Sequence, residues 1–577
     1  TALYGSEAAS GVVVITTRKA EKKEGLGIDF NYTASLERAA FLPKYQNSYG
    51  PGYDRSTNLA IGATEDGWIA FDSNGDGVKD AVRPNFNAYA QFGPAMNGEM
   101  VPWWNGKHYP FSPQPNNYRD LYRNGYSSAA NIAVSNRSDK GAYRFSYTRN
   151  DYRGIQVGGY LRKNTFNLNS SFNLSPKLSA DLILNFVNSK VHNRPLQMTR
   201  ILASYTGFFS RAERMDLMFD KYQTSEGFMF VPWNQPQYNP SEALTYAMKD
   251  ETLRFLWTQL RNSEDEDQNR FFSSFTLNYD INAHLHLRGR LGSDFTSLNI
   301  ESRQYNEYPV VYNTFPSTGG YGVSTGRYGI IYADALMEYN KALNKNFKLS
   351  VHGGYQVRSE KYTDQSSYTV GGLIKENWFS LRNSYGPLNA VNNQTAVFKF
   401  AFLGLFNLSY KNFLFLEGTA RQEYSSTLPP EKNSYFYPSV NTAFIWSEAF
   451  HLPRSISYLK SRASFGIVGN APPPYVSAIT YTQTTLPTIN GPVASLNAQD
   501  NYGNISIKPE NKYETELGLE AGLFKDRLGF DFTWYDSRIV DQVLQMTVPS
   551  STGADSRLVN AGSLRSKGFE ASLRWKW

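Results

Sequence analysis

The sequence predicts an all-β protein, a transmembrane antiparallel β-barrel, on three observations. Stretches of about ten residues alternate apolar and polar side chains again and again, the period-two pattern of a wall with one face in lipid and one in water. Aromatic residues make up 15% of the 577 residues, led by 40 Tyr and 37 Phe, yet mean hydropathy is −0.49. No run approaches the roughly 18 apolar residues of a spanning helix. Finally, the links between strands alternate between short and long, the asymmetry that barrels of this class show between their two sides of the membrane.

Taken in order, a charged link at residues 21–24 precedes a first strand over 26–36. The pattern is clearest over 165–174, where Phe166, Leu168, Phe172 and Leu174 alternate with Asn167, Asn169, Ser171 and Asn173. Leu178, Ala180, Leu182, Leu184 and Phe186 repeat it, as do Leu285, Leu287 and Leu291 against His284, His286, Arg288 and Arg290. Leu517, Leu519, Ala521 and Leu523, then Phe530, Phe532 and Trp534, close the series. The count is about 16 strands, an even number as the class requires. Short links are expected near 136–141, 175–177, 282–284, 343–346, 410–412 and 525–527, and long outer loops near 37–126, 191–268, 300–323, 361–391, 471–508 and 541–565. Two links break the rule: 152–160 is brief for an outer loop, and 447–459 is generous for an inner turn. Within 191–268, Asn239-Pro240-Ser241-Glu242 reads as a helix start, with Leu244, Met248, Phe255, Leu256 and Leu260 on one face. Glu264-Asp265-Glu266-Asp267 reads as a solvated loop charge run.

The absence of Cys excludes thiol catalysis, thiolate zinc sites and a disulfide framework. A net charge of +7 without any basic block leaves no electrostatic footprint for nucleic acid. The first twenty residues stand apart. Gly5 and Gly11 bracket a small-residue turn, and Val12 to Thr17 is an unbroken β-branched run. Such a run suits a strand buried on both faces, with its sheet elsewhere.

That opening stretch, Leu3-Tyr4-Gly5-Ser6 through Ala9-Ser10-Gly11-Val12-Val13-Val14-Ile15-Thr16-Thr17, resembles the end of the plug domain in SusC/RagA-type TonB-dependent transporters. Further stretches are similar to the family's barrel: Leu42-Pro43-Lys44-Tyr45-Gln46-Asn47-Ser48-Tyr49-Gly50-Pro51-Gly52, Trp103-Trp104-Asn105-Gly106, Val468-Gly469-Asn470, Lys508-Pro509-Glu510, and Asn560-Ala561-Gly562 with Lys567-Gly568-Phe569-Glu570. The resemblance implies a division into a plug end at 1–20 and an outer-membrane barrel at 21–577. It further implies a fragment of a larger barrel of roughly 22 strands, lacking most of the plug, the TonB-contacting box and the last strands; a complete sixteen-stranded barrel is the competing reading, since Trp575-Lys576-Trp577 imitates the aromatic ending of a last strand. The expected activity is energised import of an oligosaccharide or peptide across the outer membrane of a Gram-negative bacterium. The expected partners are a SusD-like surface lipoprotein lid, TonB with ExbB and ExbD, and outer-membrane lipid. A passive porin, a siderophore-type receptor and a barrel enzyme or adhesin are the alternatives. A porin has no use for a plug strand, and no nucleophile–base pair supports an enzyme among the six His.

Two candidate sites emerge. In Asp72-Ser73-Asn74-Gly75-Asp76-Gly77-Val78-Lys79-Asp80, the oxygens of Asp72, Asn74, Asp76 and Asp80 fall at the first, third, fifth and ninth positions of a Ca²⁺ loop. Gly77 falls at the sixth, but Arg83 stands where a bidentate Glu belongs. A structural Ca²⁺ competes there with a solvated turn; no other cofactor is expected. The loop aromatics Trp103, Trp104, Tyr109, Phe228, Phe230, Trp233 and Tyr238 could stack on sugar rings or pack a peptide, or else form loop core or interfacial girdle. His284 and His286 share a strand face with Arg288 and Arg290. A polar lumen wall accounts for all four better than a metal site does.

Overall fold

The computed structural model describes Ser6 and residues 26–73, 76–88, 90–197, 210–230, 251–309, 319–478, 480–489, 491–498 and 501–576. The plug-like stretch 1–20 therefore lies outside the described residues except for Ser6. Sixteen strands form one sheet in chain order, from Gly27–Glu37 through Gly125–Ser138, Gly141–Arg153, Tyr160–Ser175, Leu178–His192 and Ser263–Asp280 to Leu528–Val540 and Ser563–Trp575. Gly27–Glu37 pairs with Gly125–Ser138, and Ser563–Trp575 pairs with Leu528–Val540. These first and last strands are the two edges of the sheet and are not neighbours of each other.

The register shows which face each side chain takes. Tyr147 sits opposite Phe166, Phe166 opposite Phe186, Phe186 opposite Phe271, and Phe271 opposite Phe295. One row of rings thus runs across five strands along the hydrogen-bonding direction. Phe145, Leu168 and Leu184 form the next row down, and Val351 with Phe406 and Tyr355 with Phe402 continue the same face further round. The opposite face holds charge: Arg270 with Asp294, Arg290 with Asp334, Arg358 with Glu360, Arg421 with Glu423 and Arg462 with Asp531. Ser6 donates its hydroxyl to Glu423 on that charged face at 2.5 Å. The charged face, which Ser6 also meets, is therefore the inside, and the aromatic face is the outside. Leu168 and Asn169 test this. Leu168→Arg is expected to cost about 2–4 kcal/mol, because a charge on a lipid-facing strand position at mid-membrane is expensive. Asn169→Arg is expected to cost much less. Urea unfolding in lipid vesicles measures both, and equal losses would reverse the assignment.

Inner turns are tight. Lys411 and Asn412 both take positive φ, 48° and 61°, the twist a two-residue turn needs to match the strands it joins. The outer side differs from the sequence reading in three places. Most of 361–391 is strand, not loop: Phe347–Leu373 and Ser384–Tyr410 are 27 residues each, whereas a span needs only about 9–11. The surplus stands above the membrane as barrel wall. Residues 300–323 likewise contribute to the strands Leu285–Gln304 and Gly320–Ala342. The acidic run 264–267 is the start of the strand Ser263–Asp280. It is kept there by partners on its neighbours: Arg194 pairs with Glu266, Lys190 pairs with Asp267, and the His192 ring hydrogen-bonds Asp265. Of the expected helix, Glu251–Leu260 is described, and the proposed start at 239–242 lies outside the described residues.

Candidate functional site

Above the barrel, the two longest outer loops pack into one cap with its own hydrophobic core. From the first loop come Phe86, Met96, Trp103, Trp104, Phe111, Tyr118 and Leu121; from the second come Met215, Met218, Phe230, Leu253 and Leu256. Each is placed by local structure. The hairpin Glu99–Pro102/His108–Phe111 turns at Gly106, whose φ is 76°, and this swings both tryptophans inward. The helix Glu251–Leu260 buries Leu253, Leu256 and Trp257 and leaves Arg254 and Thr258 outward. The brief link after Arg153 tucks beneath it. A side chain at Gly158 would meet the Gln259 carbonyl oxygen at 2.0 Å, so only glycine allows that approach.

A polar knot ties the two loops together. The Arg211 guanidinium donates to Asn47 Oδ1 at 2.9 Å, Asn117 Oδ1 at 2.5 Å and the Pro115 carbonyl at 2.7 Å. It also lies over the rings of Tyr45 and Tyr118, themselves stacked 4.2 Å apart. Asn117 donates to the carbonyls of Ser210 and Glu213 at 2.9 and 3.0 Å. The Glu213 carboxylate accepts from the indoles of Trp104 and Trp103 at 3.2 and 3.4 Å and from the Arg214 amide at 3.3 Å. Burial pushes this carboxyl up to about 7, against the pull of those donors.

This placement corrects the ligand reading of the aromatics. Trp103 and Trp104 are 0% exposed, and Phe230 and Phe228 are buried too. Their rings are spent on cap packing, including Trp104 against Phe230 at 5.5 Å, so they offer no face to a sugar or peptide. Tyr109 packs edge-on to Trp103 at 6.0 Å and under Arg214, and is only partly buried. Trp233 and Tyr238 lie outside the described residues.

In the acidic loop, Asp72 accepts the Gly77 amide at 2.6 Å, and Asp76 accepts the Val78 amide at 2.8 Å. Asp80 accepts the Ser73 amide and hydroxyl at 2.7 Å each, bonds that hold its carboxyl below the usual range. Asn74 lies outside the described residues. Among the described residues, no group of three or more His, Asp or Glu side chains is placed to share a metal ion. His284 and His286 do not act as a pair: Nδ1 of the first meets the Asn340 carbonyl at 3.0 Å, and Nδ1 of the second meets Asp280 at 2.6 Å.

The inner wall is the second half of the site. Arg462 binds Asp531 through two nitrogens at 3.1 and 3.2 Å and reaches Thr533 at 2.6 Å. Arg288 and Arg290 converge on buried Asp334. Arg421 donates to Glu423 at 2.8 Å and to Gln356 at 2.6 Å, with both members of the pair buried. A cavity of ≈ 580 Å³ opens lower on the same face, lined by Glu417, Asn441, Lys460, Arg462 and Glu516 among others. The sequence reading did not single out Arg421 and Glu423, although a signal existed. A basic and an acidic residue two apart on a strand share a face, as in Arg358-Ser359-Glu360 and Arg421-Gln422-Glu423. Glu213 and Arg211 carried no comparable signal.

Residues 205–577 match the family model described as TonB dependent receptor-like, beta-barrel. TonB-dependent receptor P26 of Formosa agariphila is 23% identical over 593 residues, covering 99% of this chain and 52% of its own length. TonB-dependent receptor P3 of the same organism is 27% identical over 250 residues, 41% of this chain and 24% of its own. Among solved structures, the RagAB peptide importer matches in its closed-closed and open-open states. Each gives a TM-score of 0.73 at 17% identity over 99% of this chain, covering 61% and 60% of the respective matched chains. The chain thus spans about half the length of curated relatives that it matches over nearly all of its own residues. With the family model covering well over half of its residues, the chain belongs to the TonB-dependent receptors, β-barrels of the outer membrane.

Proposed function

We propose that this barrel belongs to a SusC-like importer that takes up an oligosaccharide or peptide by TonB-driven transport. In that reading, a SusD-like lipoprotein forms a lid over the loops. The observation that carries it is the cap: two outer loops share a dry aromatic core and a polar knot. Loops this long are uncommon unless they serve a function, and barrel strands need only tight turns to be joined. A packed cap is a rigid platform for a partner above the membrane. The likeness to the RagAB importer supports the same reading. So does the inner wall, whose paired charges offer a lining on which neutral sugars or peptide backbones can exchange hydrogen bonds. TonB, with ExbB and ExbD, would supply the pull on the plug.

The test uses the full-length protein in its native membrane. It is expected to co-purify with a lipid-anchored lid, and excision of residues 210–230 is expected to abolish docking and uptake while the barrel stays folded. Isolation as a lone chain, with uptake unchanged by deleting the lid, would refute the proposal.

A further inference from the structure

The outer, lipid-facing row does not end at the aromatic girdle. Beyond Tyr147 and Phe166 it continues as Arg149, Asp151 and Arg153 on one strand and as Asn164, Arg162 and Tyr160 on the next, with Ser128 and Tyr126 on the third. Arg162 is six residues past Leu168, roughly 20 Å along a strand that rises about 3.3 Å per residue, or about 14 Å of height at a tilt of about 45°. That places it on the loop side of the membrane, at the level of the outer-leaflet headgroups. Here a groove of ≈ 570 Å³ is lined by Arg123, Arg153, Arg162, Tyr126 and Tyr160, with Asp151 as the one carboxylate among its described lining residues.

The charges in this groove do not balance. Asp151 is already gripped by Arg149 through Nε and Nη2 at 2.8 Å each, and Arg162 reaches it only at 3.7 Å. The Arg123 guanidinium is fixed by the carbonyls of Gly154 at 2.9 Å and Gly159 at 2.6 Å, which bring it no negative charge. Burial, and then the positive charge of Arg153, hold Arg123 below the usual arginine range. Arg162 lies 4.9 Å over the Tyr160 ring, which orients it without neutralising it. Three guanidiniums thus converge on an open groove with less than one carboxylate among them. Positive charge accumulated in this way is costly unless an anion completes it. Guanidinium forks match phosphate oxygens in pairs.

We propose that this groove binds the phosphate of an outer-leaflet lipid headgroup, with Arg153 and Arg162 as the grasping residues and Arg123 as the fixed floor. The lipid-facing rings below it would seat the acyl chains.

The test is binding of lipid A to the full-length receptor in detergent, followed by native mass spectrometry. Phosphate-free lipid A and inorganic phosphate serve as the other two probes. Each cation lost near an anionic headgroup is worth roughly fivefold, so Arg153→Gln with Arg162→Gln is expected to weaken lipid A binding about 25-fold. Arg327→Gln, a change elsewhere on the outer row, is expected to bind like the unaltered protein. Arg153→Lys with Arg162→Lys is expected to retain most of the affinity. Should the double glutamine variant fail to fold, the two single variants carry the test at roughly fivefold each. Equal binding by the unaltered and glutamine proteins would overturn the proposal. So would equal binding of lipid A with and without phosphate. Binding of inorganic phosphate as tight as that of lipid A would assign the groove to a soluble anion and overturn the lipid assignment.

Discussion

Arg421→Leu is expected to destabilise the barrel by about 3–5 kcal/mol, the cost of leaving a buried charge without its partner. The Glu423 side chain is 2% exposed and that of Arg421 7%, so water cannot replace the lost cation. Removing both charges, as Arg421→Leu with Glu423→Leu, is expected to recover much of the loss, since well-packed apolar replacements of buried pairs are often near neutral. The double variant differs in another respect. Glu423 also accepts the Ser6 hydroxyl, so the pair holds Ser6 at the inner wall. Stability and attachment should therefore separate. The double variant is expected to regain its urea midpoint in lipid but to leave Ser6 without its acceptor and open to protease, whereas the single variant loses the midpoint and keeps the Glu423 carboxylate for Ser6. A cost below 1 kcal/mol for Arg421→Leu, or unchanged protease protection in the double variant, would show that the pair does not anchor the segment.

The fold was legible because a membrane imposes a strict code on strands. Lipid on one side and water on the other force alternation, and each strand such as Tyr160–Ser175 repeats it. Strand ends were legible only where the alternation stopped at a turn residue. Above the membrane both faces meet water, so the extension of Phe347–Leu373 past residue 361 carries polar residues on both sides and reads like a loop. The run 264–267 misled for a related reason. Four acids in succession look solvated, and only their partners across the sheet, the His192 ring and the Lys190 and Arg194 cations, make them strand residues. The site was less legible than the fold. Aromatic residues in a long loop signal that something is packed but do not say what. Trp103 and Trp104 pack on residues more than a hundred positions away, such as Glu213. Contacts of that separation leave no periodicity. The inner ion pairs were the exception, since a basic and an acidic residue two apart on one strand are visible in one dimension.

Glu213→Gln is expected to stabilise the loop cap at neutral pH and to remove its dependence on pH. Glu213 is buried beneath two indoles, and its carboxyl is raised from the ordinary carboxylate range to about 7. The folded cap therefore holds a proton that the unfolded loop releases between these two values, and stability falls as pH rises through that interval. The loss is absent at pH 4 and complete above about pH 7. At about 1.4 kcal/mol per pH unit, it amounts to roughly 3 kcal/mol. The charged groups around Glu213 do not reverse the sign. Asp216 raises the carboxyl further, Arg214 is drawn off to Asp216 at 2.8 Å, and Arg211 is occupied by Asn47, Asn117 and Pro115. Gln keeps a carbonyl oxygen for the Trp103 and Trp104 indoles and carries no charge. Hydrogen exchange of peptides from 99–111 and 210–221, corrected for intrinsic rates, reads the cap directly. Protection in the unaltered protein is expected to fall about 100-fold from pH 4 to pH 8, the equivalent of that free energy. In Glu213→Gln it should change by less than about threefold, while Trp104→Phe, which removes one indole donor, should push the carboxyl higher and steepen the fall. Parallel pH profiles for the unaltered protein and Glu213→Gln would mean that the cap's stability is set elsewhere, and that the buried carboxyl is ionised at no cost to the loops it joins.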